Sequence, residues 1–121
     1  MVADRRASWL KGVLDLLVLS CLVDGESYGY EIAKKLDDAG LGHIRGGTLY
    51  PVLNRLETAG LVQAEFRAAE RGPGRRYYEL TAEGRASLTE EGESWMIFHR
   101  TVQNTLAGAG VETLPPSTSR S

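Results

Sequence analysis

The sequence predicts a mainly α fold with a small β component (α+β): a winged helix-turn-helix followed by a C-terminal dimerisation helix. Residues 7–60 carry three helical patterns separated by glycine-rich breaks. Residues 61–81 alternate apolar and polar positions around an RGPG turn, and residues 82–109 repeat a pattern in steps of four and three. The predicted boundaries are the winged helix-turn-helix at 1–81, the dimerisation helix at 82–110 and a disordered tail, rich in Pro, Ser and Thr, at 111–121.

The first helix is predicted at 7–23, where apolar residues occupy almost every side. Such a helix is buried on more than one side, and in a chain of 121 residues the second cover is expected to be another subunit. A second helix is predicted at 28–39, with Ser27 as its N-cap and Glu31 near capping-box spacing. The glycines that follow lack the Lys-Ser/Thr pair of a phosphate loop, so a short extended piece is expected at 43–45.

The third helix lies within GGTLYPVLNRLETAGLV, residues 46–62. Gly47 or Thr48 is expected to cap it, which places Pro51 in the first turn, where its missing N–H is not needed. Gly60 is expected to end it. The residues predicted to be buried recur at spacings of three and four: Leu49, Val52, Leu53 and Leu56.

Four residues of this helix lie off the apolar stripe: Thr48, Tyr50, Asn54 and Arg55. Arg and Asn side chains can read base edges, and Thr and Tyr hydroxyls can bind phosphate. The competing interpretation is an ordinary solvated helix face. An exposed tyrosine beside a basic hairpin favours DNA binding.

Residues 61–81 are predicted to form a two-stranded hairpin whose tip carries Arg71, Arg75 and Arg76. These are either solvated charges or a wing that lies on phosphate or in the minor groove. The net charge of the chain is −2, but residues 43–78 carry +3, which leaves −5 elsewhere. Because the local potential governs contact with a polyanion, a DNA-binding face on an acidic body is allowed. Of Tyr77 and Tyr78, one should be buried and one exposed.

The last helix, about 82–109, is predicted to open at Thr81 and Gly84. Its repeating positions define a seam: Leu88, Gly92, Trp95, His99, Val102, Leu106 and Ala109. Trp95 is either an ordinary core residue or, in a homodimer, a ring that faces its copy across a two-fold axis. Two such rings could bind a planar aromatic ligand, with polarity from Glu91 and His99. Glu91 and His99 lack a third ligand, so no metal site is expected.

Several classes of protein are excluded. The single cysteine, Cys21, is expected to be a small buried hydrophobe, and a chain without disulfides fits the reducing cytoplasm. The N-terminal residues lack a signal-peptide layout. The longest apolar run, near 12–23, contains Asp15 and is too short to span a bilayer. The two histidines lie in different elements and no catalytic constellation is visible, so we expect neither an enzyme nor a cofactor.

The chain resembles the PadR family of bacterial transcriptional regulators, in its short subfamily. The residues that carry the resemblance are LKGVLDLLVLSCL, SYGYEIAKKL, GGTLYPVLNRLETAGLV, GPGRRYYELTAEG and ESW at 93–95, and they extend over about residues 10–106. The resemblance implies a homodimer that represses promoters and releases DNA when it binds a small molecule. Its C-terminal helix would pack against the first helix of the partner. Thr48, Tyr50, Pro51 and Arg55 match the recognition-helix positions, and Arg75 and Arg76 match the wing.

The resemblance also implies an effector site. Trp95 is similar to the tryptophan that stacks drugs at the dimer centre of multidrug-sensing relatives. The same alignment places five further residues along that pore: Trp9, Leu16, Ser20, Glu91 and His99. Trp9 stands where the relatives have a slimmer residue, and Glu91 and His99 differ in charge and size. The identity of the ligand therefore does not carry over, and Trp9 could fill the pore.

The expected protein is a dimeric repressor that binds a near-palindromic double-stranded operator, with a small aromatic effector at the dimer interface. It would act in the cytoplasm, on the nucleoid when bound to DNA. Two alternatives stay open. One is a winged-helix adaptor whose arginines pair with an acidic protein. The other is a repressor without a ligand.

Overall fold

The computed structural model describes residues 5–112 and confirms the predicted fold class. Residues 113–121, most of the predicted tail, lie outside the described part. Five α-helices and one three-stranded sheet form the described chain: α1 (Arg6–Lys11), α2 (Leu14–Ser20), β1 (Ser27–Tyr28), α3 (Gly29–Leu36), α4 (Gly46–Thr58), β2 (Val62–Arg67), β3 (Arg75–Leu80) and α5 (Ala82–Gly108).

The prediction of one helix at 7–23 is wrong, because the chain turns at Gly12 and Val13. The N–H groups of these two residues donate to the carbonyls of Trp9 and Leu10, three residues back, at 3.2 and 2.9 Å. Glycine and a β-branched residue are both weak helix formers, so the break falls at the point of lowest helix propensity. As a consequence α2 is packed into the core, whereas α1 buries none of its residues.

The predicted N-cap at Ser27 is also wrong. Ser27 and Tyr28 form β1, which pairs with β3 through Ser27–Tyr78 and Tyr28–Tyr77. The fully buried Ser27 hydroxyl donates to Glu31 Oε1 at 2.5 Å instead of capping a backbone N–H. After α3 the chain continues as a π-helical turn, Asp37–Leu41, so the predicted helix end at residue 39 falls inside that turn.

The sheet is antiparallel with strand order β1-β3-β2, and the two-residue β1 is too short for a sequence pattern to reveal. The hairpin register runs from Val62–Leu80 to Arg67–Arg75, as expected for a wing. The alternation of the two tyrosines is confirmed, since Tyr78 is buried and Tyr77 is half-buried on the other face. Phe66 belongs to the apolar positions of the alternation but is exposed, because the hairpin extends beyond the core there.

The core lies between α2, α3, α4 and the base of the hairpin. The predicted stripe of α4 is confirmed, because its four residues are all buried: Leu49, Val52, Leu53 and Leu56. Cys21 is half-buried at the edge of this core, and that burial raises the pKa of its thiol. The predicted extended piece at 43–45 pairs with no strand within the described residues.

The start of α5 is confirmed at Thr81, whose Oγ1 accepts the Gly84 N–H at 2.9 Å. A Cβ placed on Gly84 would lie 1.9 Å from the Leu61 carbonyl oxygen, so the close contact between α5 and the hairpin requires glycine. From there α5 crosses α2 and runs past the domain. Leu88, Gly92, Trp95 and His99 are half-buried, and every residue from 100 to 112 is exposed.

Candidate nucleic-acid interface and effector clefts

The recognition helix α4 begins earlier than the sequence predicts. Its N-cap is Arg45, in an extended conformation without a side-chain cap, so neither Gly47 nor Thr48 caps it. Pro51 is therefore the sixth residue of the helix, and the Gly47 carbonyl lacks the donor that any other residue at 51 would supply. The end at Gly60 is confirmed, since Gly60 has φ +80° and Leu61 N–H donates back to the Leu56 carbonyl at 3.0 Å.

The side of α4 opposite the buried stripe is exposed and carries small residues, two of which are polar. Successive steps of four, three and four residues bring Gly47, Pro51, Asn54 and Thr58 onto that side, and all four are exposed. Thr48 is exposed beside them. Within the described part of the chain, no hydrogen bond occupies the Asn54 side chain, so its amide is available to a base edge.

One flank of α4 is bound to α2 through Arg55. The Arg55 guanidinium donates to both Asp15 oxygens, Nη2 to Oδ1 at 2.6 Å and Nε to Oδ2 at 3.2 Å. This bidentate contact raises the pKa of Arg55. Arg55, predicted to read a base, is thus exposed but already paired with a carboxylate.

The other flank is bound to the wing through Glu57. Arg76 Nη2 donates to Glu57 Oε1 and Oε2 at 3.1 and 2.9 Å, which raises the pKa of Arg76. Arg76, predicted to contact phosphate, therefore fixes the hairpin on α4. Arg71 is exposed at the hairpin tip.

The outer face of the sheet carries a ladder of arginines and tyrosines that the sequence did not predict. Arg75 lies over the Tyr28 ring at 4.3 Å, Tyr28 meets Tyr77 edge to face at 5.4 Å, and Arg67 lies over Tyr77 at 4.4 Å. Arg67 also donates to both oxygens of Glu26, at 2.5 and 2.8 Å. The ladder therefore holds the wing on β1 and leaves Arg75 with an aromatic partner rather than a carboxylate.

Tyr30 is an exposed aromatic residue that our sequence-based site residues omit. It lies in the first turn of α3 and is 73 % exposed. The ring of Tyr50 crosses from α4 onto Gly29, so Tyr30 and Tyr50 border one cleft together with Arg75. The signal was present in SYGYEI, because Tyr30 lies off the apolar stripe of Ile32 and Leu36.

The predicted effector residues surround Trp95 but do not form one site within a single chain. Leu16, Ser20 and Trp95 line an open groove of about 880 Å³ between α2 and α5. Trp9, which is 67 % exposed, shares a second cleft of about 430 Å³ with Trp95. Glu91 shares a third, of about 540 Å³, with Trp95 and Phe98. His99 stacks on the Trp95 ring at 5.3 Å with an interplanar angle of 12°.

Two polar groups of these clefts are engaged locally. The Ser20 hydroxyl donates to the Leu16 carbonyl at 3.0 Å, and Glu91 accepts a hydrogen bond from the Ser87 hydroxyl at 2.9 Å. No group of three His, Cys, Asp or Glu residues within the described chain could hold a metal ion. Among the same residues, no helix is long and apolar enough to cross a membrane.

The model of the transcriptional regulator PadR-like family matches residues 18–90, more than half of the chain. The chain belongs to the PadR-like family. The match begins within α2 and ends in the first third of α5, so it includes α4 and the wing but not the exposed end of α5.

Individual PadR-like proteins agree with this assignment. The chain is 38 % identical over 81 residues to the transcriptional regulator Rv3488 of Mycobacterium tuberculosis, which covers 67 % of this chain and 74 % of that protein. The structure of a PadR-family transcriptional regulator from Eggerthella lenta superposes with a TM-score of 0.75 at 36 % identity, over 83 % of this chain and 87 % of that chain. A PadR-like regulator from Bacillus cereus gives a TM-score of 0.71 at 36 % identity, over 82 % and 96 %.

The family assignment confirms the coarse function. The chain is a DNA-binding transcriptional regulator of the PadR-like family, and because that family consists of regulators rather than enzymes, the expectation that it is not an enzyme is confirmed.

Proposed function

We propose that this PadR-like chain is a homodimeric repressor that binds a near-palindromic operator and is released by a small planar aromatic effector. The main observation in favour of DNA binding is the exposed side of α4. Among the described residues, the polar side chains of Thr48, Asn54 and Thr58 have no hydrogen-bond partner, and the Glu57–Arg76 pair fixes the wing beside them. A helix with this surface can enter the major groove while the wing follows the backbone.

The site residues divide by their present partners. We assign base reading first to Asn54, with Thr48 and Pro51 close to the groove floor, because these side chains are exposed and unpaired. Tyr50 and Arg75 lie at the edge towards the wing and are assigned to phosphate. Arg55 and Arg76 can contact DNA only by leaving Asp15 and Glu57. Their contribution to the binding free energy is therefore the interaction gained with DNA minus the interaction lost with the carboxylate.

The homodimer is inferred from the apolar surface of α5. Met96, Ile97, Phe98, Val102 and Leu106 are between 40 % and 63 % exposed on one helix, and Trp9 is exposed nearby on α1. An apolar surface of this extent on a single chain marks an interaction site. The heptad spacing of the seam supports a second copy as the occupant, because it suits a helix that packs along another helix. Two copies would present two α4 helices to successive major grooves, which suits an inverted repeat.

We place the effector site at Trp95 because three clefts meet there. The ring is already stacked on His99, and its surroundings include Leu16, Leu17 and Met96. In the homodimer the grooves of two copies would adjoin, which gives a planar ligand two tryptophan faces. Trp9 would either border this site or occupy part of it.

DNA binding is tested with fluorescence anisotropy on the region upstream of the gene and on a random duplex, over a salt series. We expect Asn54→Ala to lower the affinity for the operator about tenfold and the affinity for the random duplex only slightly, because it removes a base contact. Arg75→Ala should weaken both duplexes and reduce the salt slope by about one. Lys35→Ala, a cation on α3 that donates to the Cys21 carbonyl, is the matched control.

A wild-type chain that binds neither duplex but captures an acidic protein in a salt-dependent manner would be an adaptor and not a DNA-binding repressor. Unchanged binding in both Asn54→Ala and Arg75→Ala would refute the proposed face even if the chain binds DNA.

Effector binding is tested by tryptophan fluorescence with a planar cationic dye such as ethidium and a planar neutral bicyclic compound. We expect quenching of the wild-type chain and its loss in Trp95→Leu, while Trp9→Leu keeps it. Because the two tryptophans emit together, the single variants separate their contributions. Quenching that persists in Trp95→Leu and disappears in Trp9→Leu would move the site to α1, and a wild-type chain that no compound quenches would support the repressor without a ligand.

A further inference from the structure

A small cleft lies between the start of α3, the first half of α4 and the start of β3, near the tip of the wing. Its volume is about 230 Å³, and Tyr28, Tyr30, Tyr50 and Arg75 are among its lining residues. The three tyrosines come from β1, α3 and α4. They line one cleft because Tyr50 lies across Gly29, where a side chain would displace its ring. The cleft therefore depends on the relative position of α3 and α4, which the core fixes.

The chemistry of this cleft differs from that of the neighbouring ion pairs. No Asp or Glu among the described residues lines it, and its second arginine, Arg76, is already paired with Glu57. Arg55 and Arg67 each have a carboxylate partner, but within the described residues Arg75 has only the Tyr28 ring. A guanidinium stacked on an aromatic ring keeps its charge and its N–H donors for a further partner. Tyr30 and Tyr50, which line the same cleft, each carry a hydroxyl that can act as a neutral donor.

We propose that this cleft holds a phosphate of the DNA backbone, and that Tyr30 is the contact that α3 makes with DNA. The inference rests on the proposed function and adds a third DNA-binding element to α4 and the wing. A phosphodiester carries one negative charge and acceptor oxygens, which match one cation and two hydroxyl donors. The cleft lies at the edge of α4 that faces the wing, where a backbone strand must pass if α4 is in the major groove.

The role of Tyr30 is to position the duplex rather than to read it. A hydroxyl on phosphate carries no sequence information, so its loss should weaken operator and random duplex by the same factor. The hydroxyl is neutral, so its loss should leave the salt slope unchanged, unlike the loss of Arg75. These two properties separate a phosphate contact of Tyr30 from both base reading and a general charge effect.

The first experiment compares Tyr30→Phe with the wild-type chain on both duplexes over a salt series. We expect affinity to fall about 3- to 10-fold on each duplex with the salt slope unchanged. Tyr77→Phe is the matched control, because Tyr77 lies on the outer face of the sheet beneath Arg67 and should bind like the wild type. Since Tyr30 is exposed, the thermal unfolding of Tyr30→Phe should match that of the wild type.

The second experiment locates the phosphate with operator duplexes that carry one neutral methylphosphonate at a time. Neutralising the phosphate held in the cleft should lower the affinity of the wild-type chain for the duplex. It should lower the affinity of Tyr30→Phe little further, because the two changes remove the same interaction. At other phosphates the two losses should multiply.

The outcomes are distinct from those of the proposed function. A wild-type chain that binds no DNA refutes the proposed function and this inference together. A wild-type chain that binds DNA as proposed, with Tyr30→Phe binding equally well, or with losses that multiply at every phosphate, refutes the phosphate contact of Tyr30 alone.

Discussion

The proposed DNA-binding face of this chain has its side-chain partners within the chain, whereas the α5 seam exposes apolar side chains. On the DNA face each flank of α4 already has its partner, since Arg55 is paired with Asp15 and Arg76 with Glu57, and the wing rests on Tyr28. On the seam, Val102 and Leu106 are exposed, as is every described residue from 100 to 112. The proposed DNA-binding face is thus formed within one chain, whereas an effector site at Trp95 would need two chains.

One helix belongs to both regions. The α2 residue Asp15 binds the recognition helix, and its neighbour Leu16 lines the Trp95 groove together with Ser20. A ligand that shifts α2 relative to α5 would therefore also move the carboxylate that holds Arg55. Substitutions at these contacts test whether the proposed DNA-binding face depends on one chain and the seam on two.

The largest expected effect comes from breaking the seam with Val102→Glu and Leu106→Glu together. Two carboxylates buried in the interface would oppose association, so we expect a monomer by sedimentation. The affinity for the operator should fall by about 100-fold or more, because a monomer binds one half-site without a linked second copy at the other. Thermal unfolding of the winged helix itself should change little, since both residues are outside its core.

Asn104→Glu is the control for this variant, because it adds a charge on the opposite side of α5. A double variant that stays dimeric, or a monomer that binds the operator as tightly as the wild type, would contradict the dependence on a second copy.

A smaller effect is expected from Asp15→Asn, which releases Arg55 without touching α4. Affinity for random DNA should rise several-fold with a steeper salt slope, because one carboxylate near the duplex is lost and one guanidinium becomes available. Discrimination between operator and random DNA should fall. The melting temperature should change little, since the side chains of Arg55 and Asp15 are 58 % and 44 % exposed.

The control for Asp15→Asn is Asp24→Asn, which removes the same charge from an exposed residue beyond α2. If Asp15→Asn instead weakens the operator and Asp24→Asn does not, Asp15 holds Arg55 in the orientation that DNA requires and does not compete for it.

The same contrast explains how far the sequence could predict this molecule. Periodicity predicted the α4 stripe and the hairpin because burial within one chain imposes spacing on apolar residues. It did not predict β1, the break at Gly12 or the start of α4 at Gly46, because two-residue strands and helix ends depend on tertiary hydrogen bonds.

The partners of the predicted site residues were beyond the sequence for a related reason. Exposure of Thr48 and Asn54 follows from helical spacing alone. The pairing of Arg55 with Asp15 joins residues 40 apart in sequence, and Tyr30 meets Arg75 only after the wing folds back on α3. Residue type and spacing could therefore propose which arginines face DNA but not which of them are already paired.

The smallest expected effect is the pH dependence of the Glu26–Arg67 pair, which tests whether the wing is completed within one chain. The hydrogen bond from Arg67 holds the pKa of Glu26 below its ordinary value. A lowered folded-state pKa means that the pair stabilises the fold above the unfolded pKa and loses this contribution as the pH falls through the folded value. We therefore expect Glu26→Gln to lower the melting temperature slightly at pH 7. The difference should shrink as the pH falls below the ordinary glutamate pKa of about 4.3 and should vanish once the pH is below the folded-state pKa. Glu65→Gln, whose contact with Arg67 is longer at 3.4 Å, is the control and should change less. Because both partners belong to one chain, the difference in melting temperature should be the same at protein concentrations tenfold apart. The loss of association and of operator binding in the seam variants should instead depend on protein concentration. A Glu26→Gln difference that grows towards acid pH would show that Arg67 does not stabilise the carboxylate.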